Sequence, residues 1–198
     1  SDKNFLSLVG LKSLKIGIIG PTNMKRLQRL TGKSLDFFLE KADVVGRIIA
    51  QTGYELWVNS DGGMIYYIAR SYQRHGGKRL VMLYPKKGEP WPRDHIKTHL
   101  KYADALNSQK NWFWANYAVV TIPDICICVG LSAGTLSELA YIKWNCQFSR
   151  GSMKRLIAIQ ELIRGERLPL EIEVEIRHIL TYVKKTRGLA GVFKKLSR

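Results

Sequence analysis

The sequence predicts an α/β protein with a doubly wound, mainly parallel sheet flanked by helices. Two observations lead to this fold class. Short apolar runs that end at Gly or Pro alternate with longer segments in which apolar residues recur every three or four positions. Such runs are typical of buried parallel strands, and their alternation with helices is typical of crossover connections. The length of 198 residues favours one domain over 1–198, with a core at about 14–160.

The first half of the chain contains three strand segments. They are LKIGIIG (14–20), YELWVNS (54–60) and RLVMLYP (79–85), and each is apolar and bounded by turn residues. Apolar residues at helical spacing predict a helix over 34–51, which Gly53 ends, and a second helix over 64–75. The polar segment between the first strand and the first of these helices, 21–32, is expected to be a loop or a short turn.

The second half continues the alternation. The segment 85–92 is expected to be a loop because it is rich in Pro and Gly, and a short strand is expected near 102–106. Helices are predicted over 111–120 and 135–145, and strands over 125–129 and 155–159. A last helix is predicted over about 171–185 within a C-terminal helix and basic tail at about 170–198.

The formal net charge of +16 is the most unusual property of the composition. A chain of this charge attracts polyanions, so nucleic acid is one class of partner to consider. The basic residues are spread along the chain, and no acidic residue follows Glu175. A basic proteome or a solubility requirement explains the same charge equally well, and the sequence leaves these alternatives open.

The remaining composition favours a cytoplasmic protein that does not enter a membrane. Hydrophobic residues make up 45% of the chain, and no apolar run approaches the roughly 20 residues that span a bilayer. No secretory signal is recognised. Cys126 and Cys128 lie two apart in the strand 125–129, too close for an ordinary disulfide, and are interpreted as small core residues.

Small-residue turns follow three of the predicted strands. Ligands of doubly wound sheets bind beyond the carboxyl ends of the strands, and backbone N–H groups at a helix N-terminus bind phosphate. Plain turns and helix capping by Thr135 remain alternatives. The residues expected to bind a phosphorylated ligand from these turns are Gly20, Pro21, Thr22, Gly62, Gly63, Gly130, Ser132, Ala133, Gly134 and Thr135.

Glu138 is the acidic residue expected on the first turn of the helix that follows Gly134. It is interpreted either as a capping carboxylate or as a group that contacts a ribose hydroxyl or acts as a general acid or base. The turns match neither the GxGxxG nor the Walker A pattern, which argues against ordinary NAD binding and P-loop hydrolysis. The four histidines form no recognisable ligand set, so no metal is expected.

Residues 115–144, ANYAVVTIPDICICVGLSAGTLSELAYIKW, resemble the signature of the Lonely Guy-like (LOG/SLOG) superfamily of Rossmann-type proteins. This superfamily includes cytokinin-activating phosphoribohydrolases, molybdenum-cofactor carrier proteins and the single-strand DNA-binding DNA-processing protein A. Asn116, Asp124, Gly134, Thr135 and Glu138 match its pattern. The resemblance covers about 14–160, implies a Rossmann-like fold, and adds Asn116 to the expected ligand-binding residues.

Two departures place the chain nearer the carrier-protein branch. Ala115 stands where the phosphoribohydrolases carry an arginine, and Gly130-Leu131-Ser132 stands where they carry Pro-Gly-Gly. The loss of a fixed cation weakens the case for hydrolysis. The resemblance therefore implies a protein that binds a nucleotide, a phosphate or a molybdopterin-type cofactor, with no cofactor required beyond that ligand.

The sequence leaves two alternative functions open, and the resemblance also implies an oligomeric state. A phosphoribohydrolase acting on nucleoside 5′-monophosphates would use Glu138 as its catalytic carboxylate, so the sequence leaves open whether the protein is an enzyme. A single-stranded nucleic-acid-binding protein would use the basic surface and tail. The resemblance also implies a homodimer or homotetramer, for which the segments 112–117 and 135–144 are candidate interfaces because they are aromatic.

Overall fold

The structure is a computed structural model that describes residues 13–86 and 99–196. Strands and helices alternate along the chain in the order β1 (Lys15–Ile19), α1 (Met24–Thr31), α2 (Leu35–Thr52), β2 (Glu55–Asn59), α3 (Gly63–Arg74), β3 (Leu80–Pro85), β4 (Ala105–Gln109), α4 (Trp112–Ala118), β5 (Ile125–Cys128), α5 (Ala133–Gln147), β6 (Arg155–Ile159), α6 (Leu170–Ile176), β7 (Leu180–Val183) and α7 (Leu189–Leu196).

The strands form one sheet in the order β4-β3-β2-β1-β5-β6-β7, and every neighbouring pair is parallel. The chain proceeds outward from β1 to β4 and then returns to the other side of β1, where Ile16 pairs with Ile125. This reversal leaves a crevice between the carboxyl ends of β1 and β5, which is where doubly wound sheets bind ligands. The predicted fold class is confirmed.

Helices cover both faces of the sheet, and successive strand residues alternate between them. On β5, Ile125 and Ile127 belong to the core beneath α1, α2, α3 and α7, while Cys126 and Cys128 belong to the core beneath α4, α5 and α6. Both cysteines are buried free thiols, as expected. Burial raises the pKa of the Cys128 thiol to about 12, so this residue behaves as a small apolar side chain.

The expected loop at 21–32 is wrong, because most of this segment forms α1. The side chain of Asn23 accepts a hydrogen bond from the Arg26 backbone N–H at 2.9 Å, which caps the helix, and Gly32 ends it. Leu27 is the one buried residue of α1. A single buried position produces no helical periodicity, and for this reason the sequence pattern missed the helix.

The predicted C-terminal helix over about 171–185 is also wrong. The helix α6 ends at Ile176, and the chain then adds β7 beside β6 and finishes with α7. Tyr182 donates a hydrogen bond to Glu173 at 2.6 Å, and Arg167 pairs with the same carboxylate. These contacts lower the pKa of Glu173 to about 2. The segment predicted as a helix with a basic tail thus contributes a strand to the sheet, β7, and a helix that packs on it, α7.

The other boundaries differ less from those predicted. The strand expected near 102–106 lies at Ala105–Gln109, while the other predicted strands and helices occur within a few residues of their expected positions. Most of the loop predicted at 85–92 lies outside the described residues. None of the helices within 13–86 and 99–196 combines the length and the apolar character that crossing a bilayer requires.

Candidate functional site

The turns after β1, β2 and β5 pack directly against one another. The Met64 N–H donates a hydrogen bond to the Pro21 carbonyl at 3.1 Å. A Cβ atom at Gly63 would lie 2.5 Å from the Thr22 Cα, and one at Gly130 would lie 2.9 Å from the Pro21 Cδ. Side chains at either glycine would separate the turns, so their small size is a packing requirement.

A cleft of about 520 Å³ opens beside these turns. This volume is within the range of roughly 300–1,000 Å³ that small-molecule sites occupy. Three residues expected to bind the ligand, Gly62, Gly63 and Gly130, do not line it. The expected site residues that do line it are Gly20, Pro21, Thr22, Asn116, Ser132, Ala133, Gly134, Thr135 and Glu138.

The N-terminus of α5 presents backbone donors to the cleft. Ser132 caps the helix by accepting a hydrogen bond from the Thr135 N–H at 3.2 Å. Thr135 is buried, and its hydroxyl lies 3.0 Å from that of Ser132, so Ser132 and not Thr135 is the capping residue. Within the described part of the chain, nothing accepts a hydrogen bond from the N–H groups of Ala133 and Gly134. The positive end of a 15-residue helix is therefore open to an anion.

Glu138 lies at the inner wall of the cleft and is 5% exposed. Because α5 begins at Ala133, Glu138 falls on its second turn, and the expectation of a first-turn capping carboxylate is wrong. No group among residues 13–86 and 99–196 donates a hydrogen bond to its carboxyl. Burial, and to a smaller extent the negative charge of Asp61, raises the pKa of Glu138 well above its usual value. A carboxyl of this kind stays protonated at higher pH and can donate a hydrogen bond.

An amide pair forms another wall of the cleft. Asn59, the last residue of β2, donates a hydrogen bond to the Asn116 side chain at 2.9 Å. Asn59 is 3% exposed, and its Oδ1 has no hydrogen-bond partner in the described structure. A buried amide group without a partner is costly, so a ligand that pairs with it gains affinity. Asn59 was not predicted, although a polar residue ending an apolar strand is a signal that could have identified it.

The remaining wall is the face of α1 formed by Asn23, Arg26, Leu27 and Leu30. Asn23 lies four positions before Leu27, and Arg26 lies four positions before Leu30, as residues on one face of a helix do. Among the described lining residues, Arg26 supplies the single basic side chain. The sequence pattern missed this wall because it missed α1.

Ala115, which occupies the family arginine position, does not line the cleft. It is fully buried with Trp112 beside Tyr84 and Leu100. Position 115 therefore lies in a small apolar cluster, and a cation at the site has to come from another element.

Metal ligands do not converge at the cleft. The described ranges, 13–86 and 99–196, contain no cluster of three His, Cys, Asp or Glu side chains that could hold a metal ion. His95, which the sequence places four residues before His99, lies outside these ranges.

No family model matches the sequence, and no curated protein matches it. Solved structures do match. The molybdenum cofactor carrier protein of Chlamydomonas reinhardtii superimposes with a TM-score of 0.69 at 14% identity, covering 94% of this chain and 100% of that one. The molybdenum cofactor binding protein of Rippkaea orientalis gives a TM-score of 0.65 at 18% identity, covering 95% and 99% of the two chains. The chain has the molybdenum cofactor carrier protein fold.

A protein that binds single-stranded DNA also matches this fold. DNA processing protein A of Helicobacter pylori, described for its single-stranded DNA binding mode, matches with a TM-score of 0.58 at 13% identity, covering 92% of this chain and 80% of that one. These neighbours confirm the Lonely Guy-like, Rossmann-type resemblance at the level of the fold. Identities of this size leave the ligand to be argued from the cleft itself.

Proposed function

We propose that the protein binds a small phosphorylated ligand, a nucleotide or a molybdopterin-type cofactor, in the cleft beside β1 and β5. One observation carries this proposal: free helix N–H donors, the unpartnered Asn59 Oδ1 and the buried Glu138 carboxyl line the same cleft, where the strand order of the sheet reverses. In this proposal the phosphate binds the N–H groups of Ala133 and Gly134, and the polar groups of the remaining ligand pair with Asn59 and Glu138, which line the same cleft. The similarity in fold to a molybdenum cofactor carrier protein and a molybdenum cofactor binding protein supports a pterin-type cofactor as one member of this class.

Gly134→Ala is expected to weaken binding of a phosphorylated ligand at least tenfold while leaving the fold intact. The nearest protein atom to a Cβ at this position is the Ser132 Oγ at 3.8 Å, so the protein accommodates the methyl group. The methyl group would instead occupy the approach of a phosphate to the helix end. Isothermal titration with AMP, GMP, inorganic phosphate, isolated molybdopterin and a single-stranded oligonucleotide measures the effect.

The matched control is Gly191→Ala on α7, where a Cβ meets no atom within 4 Å and the protein also accommodates the methyl group. It should leave every affinity unchanged. Folded wild-type protein that binds no small member of the panel would contradict the proposal. Binding of the oligonucleotide alone would favour the nucleic-acid alternative, which the charge of +16 supports.

A second candidate function is hydrolysis of the N-glycosidic bond of nucleoside 5′-monophosphates. The observation in its favour is the buried Glu138 carboxyl with Asp61 in the same cleft. A carboxyl whose pKa is raised by burial keeps its proton to higher pH and is suited to act as a general acid toward a departing base. Water would supply the hydroxyl that replaces the base on the ribose. The absence of an arginine at position 115 ranks this activity second.

We further propose that α4 and α5 form a homo-oligomer interface, with a dimer as the basic unit. Phe113 and Trp114 are 67% and 50% exposed, and they form a shallow apolar depression with Tyr117 and Tyr141. A contiguous aromatic surface of this kind is typical of protein contacts. The stacked pair of Trp144 and Phe148 extends the same side of α5 and is a candidate second contact for a tetramer.

Trp114→Glu is expected to convert the oligomer to a monomer, since it places a charge in the centre of the apolar surface. Sedimentation velocity measures the change. Leu170→Glu is the control, because Leu170 is also an exposed apolar residue, at 65%, but lies on α6. A wild-type protein that sediments as a monomer at every accessible concentration would overturn the interface.

A further inference from the structure

We propose that Arg26 is the phosphate-binding cation of the cleft, in place of the arginine that position 115 lacks. This inference rests on the proposed function and assigns a residue of α1 to it. Arg26 lies on the third position of α1, on the face that lines the cleft with Asn23, Leu27 and Leu30.

The guanidinium of Arg26 is available to a ligand. The side chain is exposed, and no carboxylate within residues 13–86 and 99–196 pairs with it. Its backbone is held, because the Arg26 N–H donates to Asn23 and Leu27 is packed in the core. An anchored helix that carries an unpaired guanidinium at a cleft needs little rearrangement to bind an anion.

The charges in the cleft show why a cation is required. A phosphate monoester carries a charge of about −1.5 to −2 at neutral pH, whereas a helix N-terminus offers about +0.5. Asp61 also lines the cleft and adds negative potential. The end of α5 alone therefore compensates the phosphate poorly. Arg26 is the lining residue among those described that can supply the missing charge, and its planar guanidinium can form two parallel hydrogen bonds to phosphate oxygens.

Independent polar groups show that a ligand belongs next to Arg26. The Asn59 Oδ1 is buried without a partner on the same cleft, and it ends the strand adjacent to β1. The strand β1 lies between β2, which ends at Asn59, and β5, which leads to the N-terminus of α5. Because the chain enters α1 directly from β1, Arg26 follows the strand that separates Asn59 from this helix end. A ligand bound by its phosphate at α5 and by its polar groups at Asn59 has Arg26 beside it.

The test compares Arg26→Gln with Arg29→Gln by isothermal titration with AMP, adenosine and inorganic phosphate. Arg29 is an exposed cation of the same helix that does not line the cleft. Arg26→Gln should weaken AMP and phosphate binding at least tenfold and leave adenosine binding within about twofold. Arg29→Gln should change each affinity by less than threefold, and Arg26→Lys should restore part of the loss. Thermal unfolding should match the wild type in all three variants.

The experiment distinguishes failure of the role of Arg26 from failure of the proposed function. If Arg26→Gln binds AMP as tightly as the wild type does, the role of Arg26 is overturned and the proposed function is unaffected. Equal losses in Arg26→Gln and Arg29→Gln would reduce the effect to overall charge and overturn the specific role. Absence of AMP and phosphate binding by the folded wild-type protein would overturn the role of Arg26, and the proposed function would also fall if GMP and molybdopterin did not bind.

Discussion

Gly63→Ala is expected to lower the free energy of unfolding by about 3 kcal/mol, the largest stability loss predicted for a single methyl group in the cleft region. Gly63 has a φ of +65°, a conformation that costs an L-residue about 1–2 kcal/mol. A Cβ there would also lie 2.5 Å from the Thr22 carbonyl oxygen, and overpacking of this kind costs about 1–3 kcal/mol. Urea unfolding measures the loss, and the melting temperature should fall by on the order of 10 °C.

Gly32→Ala separates these two contributions. Gly32 has a similar φ of +69°, but a Cβ there meets no atom within 4 Å. This variant should show the backbone cost alone, about 1–2 kcal/mol. Equal losses at the two positions would mean that the turns after β1 and β2 are not in close contact. Because the Gly63 turn abuts Pro21 and Thr22, the variant should also lose ligand affinity more than Gly32→Ala does.

Glu138→Leu is expected to make the protein more stable and less able to bind its ligand. The Glu138 side chain is 5% exposed, and burial raises the pKa of its carboxyl, so an apolar side chain at this position removes a desolvation cost of about 1–3 kcal/mol. The folded-state pKa lies above the unfolded value of about 4.3, so the folded state holds more protons above that pH. The destabilisation of the wild type by Glu138 therefore increases as pH rises from about 4.3 to the folded-state pKa, and it is constant at higher pH. Urea unfolding from pH 4 to pH 8 should show that the stability gain of Glu138→Leu over the wild type increases with pH. The ligand affinity of the variant should be at least tenfold lower than that of the wild type.

Glu138→Gln distinguishes binding from catalysis at the same position. Gln keeps a hydrogen-bond donor in the place of the protonated carboxyl, so a binding role predicts an affinity within a few-fold of the wild type. A phosphoribohydrolase would lose release of free base from AMP or CMP in this variant, since an amide cannot act as a general acid. Wild-type protein without base release would leave binding as the function. A stability gain for Glu138→Leu that is the same at pH 4 and pH 8 would contradict the buried, protonated carboxyl.

The parts predicted from the sequence are those encoded in local patterns. The strands 14–20 and 125–129 are apolar runs between turn residues, and both lie at the centre of the sheet. The residues that line the cleft at the N-terminus of α5 were predicted because the segment from Ser132 to Thr135 consists of small residues at the start of a helix. The two cysteines of β5 were placed in the core by their spacing. In each case the residues that determine the structure lie together in one short segment of the sequence.

The parts that were missed depend on contacts between distant segments. The helix α1 buries a single residue, and β7 is a partly buried edge strand whose pairing with β6 and whose contact between Tyr182 and Glu173 join segments with no common pattern. Asn59 and Arg26 were missed for a related reason. Each is an ordinary polar residue in its own segment and becomes part of a site because the turns after β1, β2 and β5 meet.

The sequence by itself determined the doubly wound class, the central strands and the small-residue turns, because hydrophobic period and turn chemistry are local properties of the chain. The tertiary structure decided which turn residues face the cleft and which only pack: Gly134 lines it, while Gly63 and Gly130 hold the turns together behind it. It also decided that position 115 is core and that the available cation is Arg26. Which side chains share a cavity depends on strand order and long-range packing, and neither leaves a periodic signal in the sequence.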